Sequence, residues 1–399
     1  MVPHLRAAFN AQYTQEQYEA YMQALHAIAP NTLEFRNAET PIFVDKAFTN
    51  KMIAACEAIT DVIVAPDFLL KTNAALPPNH VIDNENAHTH FIAFDFGVCE
   101  NAQGELEPQL IEMQGFPTLF AFQAYHTALT RTYAKVVPPN YDAYLSGYNE
   151  ATYLQLLKEI ILGTHDPKHV VLLEILPEEQ KTKIDFYCTK KALGIEYICL
   201  TDLIKKDNKL YYMLNGELTA IHRIYNRIIF DDVAQQNETI QQQATILQGN
   251  IEVEWCPHPN WFYRISKYTL PLITHPYVPT TYFLHQLTSI PTDLHNYVLK
   301  PLFSFAGQGV VIDVQLSDIE RIQDPENWIL QKKVQYANVI ITPDEPAKAE
   351  IRIFYFWKDG WARPIATHNL SRISKGKMIG TRYNKDKEWV GGSVSFFEQ

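Results

Sequence analysis

Along this chain the spacing of apolar residues changes period several times, and each change marks an element. "YTQEQYEAYMQALHAIA" (13–29) has apolar positions at helical intervals. It opens with Thr14 three residues before Gln17, an arrangement in which two side chains can satisfy the free backbone donors of a helix start. A second helix is expected over 44–58. From "THFIAFDFGV" to "PQLIEMQGF" the texture becomes that of two facing strands, with "CENAQGELE" supplying the polar residues and glycine of a hairpin loop. "YDAYLSGYNEATYLQLLKEIIL" returns to helical spacing and stops near Gly163.

The rhythm then shifts to a β-α-β unit. "KHVVLLEIL" reads as a short buried strand, "PEEQKTKIDFYCTKKAL" as a helix with Pro177 in its first turn and Gly194 as its stop, and "IEYICL" as a second strand. A turn at Asn215 and Gly216 leads to a strand bearing Arg223 and Arg227, followed by "DDVAQQNETIQQQATILQGN", a polar connector helix or, by its glutamine content, a mobile exposed segment. From 255 onward the pattern is α+β, with "YFLHQLTSI" read as an amphipathic helix and a polar, glycine-bearing tail.

Composition narrows the classes. A chain of 399 residues, 47% hydrophobic, can bury more than one core, so two to three domains are expected. A formal net charge of −11 excludes a basic grip on nucleic acid and favours small substrates. Cys56, Cys99, Cys188, Cys199 and Cys256 are odd in number and scattered without a CxxC pair, which points to reduced, buried thiols. No window approaches the roughly 18 apolar residues that span a bilayer, and the N-terminus lacks a signal-like segment; a cytoplasmic protein without a membrane partner is expected. Nothing in the sequence sets an oligomeric state.

Three stretches carry candidate chemistry. In "VLKPLFSFAGQGVVI" (298–312), Lys300 leads into a loop through Ala306, Gly307, Gln308 and Gly309. Such a loop lets backbone N–H groups approach a phosphate while the lysine adds charge; the ordinary alternative is a flexible hairpin with a surface lysine. In "LIEMQG", Glu112 and Gln114 share one face of a strand, with Leu110 expected on that face too, and Asp95 of "FDFG" can lie opposite. Two carboxylates and an amide oxygen are hard ligands suited to Mg²⁺, and their apolar neighbours make uncompensated charge costly; ordinary acids on a half-exposed hairpin are the alternative. In "AEIRIFYFW", Glu350 and Arg352 share a face, as an ion pair or with the arginine aimed at a phosphate or developing oxyanion.

Two further pairs have plainer readings. His88 and His90 have the alternate spacing of strand ligands but lack a third, and read as two exposed histidines. Arg223 and Arg227 are candidates for a substrate carboxylate or for interdomain ion pairs.

In order along the chain, Lys267 in "ISKYTLPL", "YVPTTY", Lys300, Gln331 in "WILQKKV" and Arg352 in "EIRIF" resemble the ATP-grasp ligases. The family's metal-binding strand pair usually follows the arginine strand, whereas here "FDFGVCENAQGELEPQLIEMQGFPT" supplies it early, so the layout resembles the circularly permuted type. It is most similar to the synthetase domain of glutathionylspermidine synthase, down to Pro117 and Thr118 after the metal pair, and the resemblance covers most of 88–399.

The resemblance implies an α+β ATP-grasp fold of two lobes enclosing ATP, with a Rossmann-like pre-ATP-grasp α/β domain. Residues 1–165 would form a helical region plus the metal hairpin packed back on the core, 166–235 the α/β domain, and 236–399 the nucleotide lobes. It also implies that Lys267 and Lys300 hold phosphates, that Ala306 to Gly309 fold over the nucleotide, and that the backbone around Gln331, Lys332 and Val334 meets adenine. Asp95, Glu112 and Gln114 would hold Mg²⁺, and Arg352 or Arg372 would face the transferred phosphoryl group or acyl intermediate.

The implied activity is carboxylate–amine ligation through an acyl phosphate, from a small peptide or amino-acid-like acid and an amine. Such chemistry needs charge neutralisation and alignment more than a protein nucleophile. Gln114 replaces the usual asparagine, and Ala93 stands where glutathionylspermidine synthase has an arginine, which argues against that particular substrate. The long separation of Asp95 and Glu112 implies a long hairpin loop. An ATP-binding regulatory or scaffold protein without turnover, and a small-molecule phosphotransferase using the same cleft, are the competing readings.

Overall fold

The strand Lys348–Phe356 is apolar and buried along almost its whole length, and a strand covered on both faces belongs at the middle of a sheet. In the computed structural model, which describes residues 1–77, 82–303, 308–376, 379 and 384–399, it is the central strand of five. It runs antiparallel to Ile365–Ser374 on one side and to Phe91–Glu100 on the other, with Gly391–Ser393 and Leu106–Gln114 at the edges. The acidic hairpin from early in the chain therefore shares one sheet with strands from its end.

One face of that sheet is covered by the helix Lys46–Ile63, which starts close to the expected position and runs longer. Phe48, Met52, Ala55, Ile59 and Ile63 repeat at three- and four-residue intervals and pack against Ile92, Phe94, Phe96, Ile351 and Ile353. Asp45 caps its start by accepting the Phe48 N–H at 2.8 Å. On the other face the helix Phe120–Tyr133 covers one end, with the Phe120 ring centroid 4.9 Å from Phe354 and 5.0 Å from Phe356.

The hairpin is docked by backbone bonds to the 261–340 region. The Leu110 N–H donates to Tyr277 O and the Gly115 N–H to Ile265 O, each at 2.8 Å, and the Ala337 N–H donates to Val98 O at 2.9 Å. A Cβ on Gly115 would fall 2.8 Å from the Trp261 carbonyl oxygen, so glycine is what permits this approach. Nearby, Thr281–Phe283, Trp328–Lys332 and Tyr297–Pro301 form a three-stranded antiparallel sheet.

The β-α-β unit is present, but its helix starts later than expected: Pro177 opens a separate 3-10 turn, Pro177–Glu179, and not the first turn of the helix. Val170–Glu174 and Glu196–Cys199 are parallel neighbours joined through the helix Lys183–Leu193, which ends at Gly194 with φ +79°. Arg223–Asn226 and Glu254–Cys256 complete a four-stranded parallel sheet. All five cysteines are free, and four are buried. No helix among the described residues is long and apolar enough to cross a membrane.

Several local expectations are corrected. The hairpin loop is short, Asn101 to Glu105, because strands of ten and nine residues take up the sequence between Asp95 and Glu112. "YFLHQLTSI" is not a helix: Thr281–Phe283 pairs with Ile329–Gln331, so an available strand partner overrides the helical spacing. The glutamine-rich connector splits into Phe230–Val233 and Glu238–Ala244, the second capped by Asn237, which accepts the Ile240 N–H at 3.1 Å. At the end of the polar, glycine-bearing tail, Ser395–Glu398 pairs in parallel with Ile42–Val44 and buries Phe396 and Phe397.

Candidate functional site

The acidic hairpin places its carboxylates by register. Asp95 lies opposite Glu112, but the next pair is Phe96 with Leu110, so Ile111 is an extra residue that bulges the strand. The bulge changes the phase of the strand. Glu112 and Gln114 stay on the Asp95 face, while Leu110, expected to join them, turns to the opposite face and is fully buried in the core with Phe96. Lys300 Nζ donates to the carbonyl oxygen of the bulged Ile111 at 3.2 Å and to Gln331 Oε1 at 2.5 Å. The two parts of the chain thus meet at a lysine.

Lys267 and Lys300, beside the hairpin, are both buried. Burial pushes the Lys300 ammonium down to about 8 against the opposing pull of Glu112. Burial lowers Lys267 as well, again opposed by Glu112, and its Nζ lies 3.5 Å from Leu302 O. Ser266 accepts the Tyr268 N–H at 3.1 Å and so fixes the turn that starts at Lys267.

Beside the lysines runs a chain of charge-assisted bonds across three adjacent strands. Asp95 lies opposite Arg352, and Glu350 opposite Arg372. Arg352 grips Asp95 in a fork, Nε to Oδ1 at 2.5 Å and Nη2 to Oδ2 at 2.6 Å, and Arg372 Nη2 reaches the same Oδ2 at 2.5 Å. Arg372 also pairs with Glu350, which accepts the Tyr336 hydroxyl at 3.0 Å.

This network moves the titrations apart. Burial would raise Asp95, yet Arg352 and Arg372 together hold it below the usual carboxylate range. Burial raises Glu350, with Arg372 opposing. Gly97 makes room for Tyr336: a Cβ there would fall 2.7 Å from the tyrosine Cε1. Arg352 also donates to Thr118 Oγ1 at 3.2 Å, and its Nη2 lies 3.9 Å from Glu112.

A divalent cation needs open oxygen donors, and the floor offers few. Both oxygens of Asp95 are bonded to arginines. The Glu112 side chain is 39% exposed, and the Gln114 amide donates to Phe116 O at 3.2 Å, leaving its oxygen to accept. Among the described residues no group of three or more His, Cys, Asp or Glu is arranged to hold a metal. The side chains present therefore do not make a complete protein-only metal site.

No protein-family model matches the sequence, and no curated protein matches it. Solved structures do resemble it. One is described as a glutathione synthetase-like effector from Globodera pallida in its apo form, with a TM-score of 0.59 over 97% of this chain and 98% of that one at 10% identity. The fold is glutathione synthetase-like. Because the likeness spans both chains almost end to end, it takes in the hairpin, the parallel sheet and the lysine-bearing region together.

Within this glutathione synthetase-like fold the expected site residues separate into groups. Asp95, Glu112, Gln114, Lys267, Lys300, Gln331, Arg352 and Arg372 come together around the hairpin, with Gln331 buried between Lys300 and Thr281 Oγ1. Lys332 is exposed and Val334 half-buried just beyond. Gln308 and Gly309 are exposed, and Gly309 has φ +74°, a left-handed turn that favours glycine. Ala306 and Gly307 lie outside the described residues.

Arg223 and Arg227 are elsewhere in the glutathione synthetase-like fold, held in buried joints. Arg223 donates to Ile160 O, Ile161 O, Glu254 and Asp359; Arg227 donates to Pro117 O at 2.6 Å, bracing the segment that carries Thr118. The histidines are not two exposed residues: His88 stacks on Trp357 at 4.2 Å, and His90 is buried 3.1 Å from Asp359. Cys256 has no exposed surface, which closes it to substrate as a nucleophile. Tyr336 escaped the sequence reading because it lies in no motif; a glycine in a strand rich in large residues was its one trace.

Proposed function

We propose that the chain is an ATP-dependent carboxylate–amine ligase of the ATP-grasp type, joining a small peptide or amino-acid-like acid to an amine. The observation that carries this reading is the contact of Lys300 with Ile111 O, which puts a lysine beside the sheet hairpin that also gathers Lys267, Arg352, Arg372 and three carboxylates. Lys267 and Lys300 would neutralise the nucleotide phosphates, with the Gln331 to Val334 segment against the base and the 306–309 loop over the triphosphate.

The substrate carboxylate oxygen attacks the γ-phosphorus, ADP leaves, and the amine then attacks the acyl carbon and expels phosphate. Arg352 and Arg372, fixed by Asp95 and Glu350, would face the charge that develops on the phosphoryl and acyl oxygens. Mg²⁺ belongs to this reading as the counter-ion of the triphosphate. An ADP-release assay with acids and amines in pairs, including glutathione, amino acids and polyamines, tests the proposal. One pair yielding ADP, phosphate and an amide in equal amounts is the expected result.

A second reading, a nucleotide-binding protein without turnover, draws on the engagement of both Asp95 oxygens by arginines and on the word effector in the description of the structural neighbour. Tight binding of an ATP analogue with no ADP release from any pair would favour it.

A further inference from the structure

The sequence resemblance assigns Asp95 to a metal, but its surroundings argue for different work. The carboxylate is 1% exposed, and three guanidinium bonds of 2.5 to 2.6 Å occupy both oxygens. A carboxylate has about four lone-pair positions, so three are already used. The bonds follow from strand register rather than from a loose side chain, because Asp95 sits directly opposite Arg352, and Arg372 directly opposite Glu350.

A divalent ion on Asp95 would displace an arginine and then sit within a few ångströms of two guanidinium charges in a buried setting, where repulsion is poorly screened. Tyr336 and Glu350 lock the second arginine from behind, and Thr118 holds the first from the side. Glu112, by contrast, is 39% exposed and lies 3.9 Å from Arg352 Nη2, and the Gln114 amide, which donates to Phe116 O, leaves its oxygen to accept.

We infer that Asp95 is the anchor of a paired-arginine fork rather than a metal ligand, and that a divalent cation binds this cleft only together with phosphate oxygens, at Glu112 and Gln114. The fork is thereby pre-formed for an anion, a phosphoryl or carboxylate group, before any ligand arrives. The inference deepens the proposed nucleotide reading, but its claim about Asp95 stands on the bare chain.

The test is Mn²⁺ titration of the whole protein followed by electron paramagnetic resonance, without and with inorganic pyrophosphate. The wild type should bind no Mn²⁺ tighter than about 10⁻³ M alone, and should take it up once pyrophosphate is present. Glu112→Gln should weaken that uptake about tenfold or more, whereas Asp95→Asn should change it by less than about twofold. In Asp95→Asn the slowly exchanging Nε–H resonance of Arg352 should disappear from the nitrogen spectrum, which loss of a metal ligand would not produce.

Tight Mn²⁺ binding by the bare wild type, or loss of Mn²⁺ uptake in Asp95→Asn equal to that in Glu112→Gln, would overturn the inference. Should Asp95→Asn fail to fold, the wild-type titration without pyrophosphate still decides it. A protein that takes up no Mn²⁺ even with pyrophosphate overturns the Glu112–Gln114 half of the inference and sinks the ligase reading if nucleotide is ignored too, while the Arg352 Nε–H resonance still reads the anchor by itself.

Discussion

Lys300 is a buried cation whose two bonded acceptors, Gln331 Oε1 and Ile111 O, are both neutral, so its charge is solvated but not neutralised by them. Removing it should weaken binding of an ATP analogue by about ten- to a hundredfold, in keeping with roughly 1.5–3 kcal/mol for a hydrogen bond to a charged group. Calorimetric titration of Lys300→Ala checks this. Burial sets the ammonium near 8, so it is charged below that pH and neutral above it. Metal-free affinity should therefore fall as pH rises from about 7 to about 9, and Lys300→Ala should remove most of that slope. Equal affinity in both proteins would count against a phosphate role. At this scale the sequence exposed Lys300, Asp95 and Glu112, because charges in apolar strands need a reason. It offered a Glu350–Arg352 ion pair as one of two readings, whereas the partners are cross-strand, Glu350 with Arg372 and Arg352 with Asp95. Register is a property of two strands, and neither strand states it alone.

Elements show the same division. The hairpin, the β-α-β unit and the helix behind Thr14 were legible from period and caps. The bulge at Ile111 was not, since one extra residue leaves the alternation of the strand unchanged and alters only which face each side chain meets.

A pair of histidines joins the helix Phe120–Tyr133 to the strand Ile365–Ser374. Tyr21 donates to His126 Nε2 at 2.7 Å; His368 Nδ1 donates to Ala143 O at 3.0 Å and its Nε2 accepts from Thr127 at 3.1 Å. Burial pushes His126 down to about 3, aided by His368, and pushes His368 down to about 4, with two backbone carbonyls and Asp142 opposing. Both rings are neutral in the fold, and the unfolded chain takes up protons first as pH falls through about 6.5. The stability they contribute is thus complete above that pH and lost below it, by on the order of 2 kcal/mol for each ring at pH 5. Urea unfolding midpoints measured across this window should drop with acid, and His126→Gln should make the drop smaller. A flat profile between about pH 6.5 and 5 would contradict the buried neutral pair.

The whole molecule has a formal charge of −11, yet it gathers Lys267, Lys300, Arg352 and Arg372 around one hairpin, with Asp95, Glu112 and Glu350 among them. Composition alone conceals that local balance of charge, which the proposed anion role draws on. At this scale the sequence offered an order of motifs, Lys267, Lys300, Gln331 and Arg352, that resembles the ATP-grasp ligases. The fold that emerged is glutathione synthetase-like over nearly its full length. What sequence order left open was whether the early hairpin meets the late lysines, because contact across such a separation depends on sheet assembly. It does so through Phe91–Glu100 beside Lys348–Phe356 and through Lys300 on Ile111 O.

A crystal structure of the chain grown with a non-hydrolysable ATP analogue tests the central claim most directly. Triphosphate density is expected within hydrogen-bond reach of both Lys267 and Lys300 and facing Glu112. Triphosphate bound at any other surface, or a saturated crystal with no nucleotide in this cleft, would contradict it.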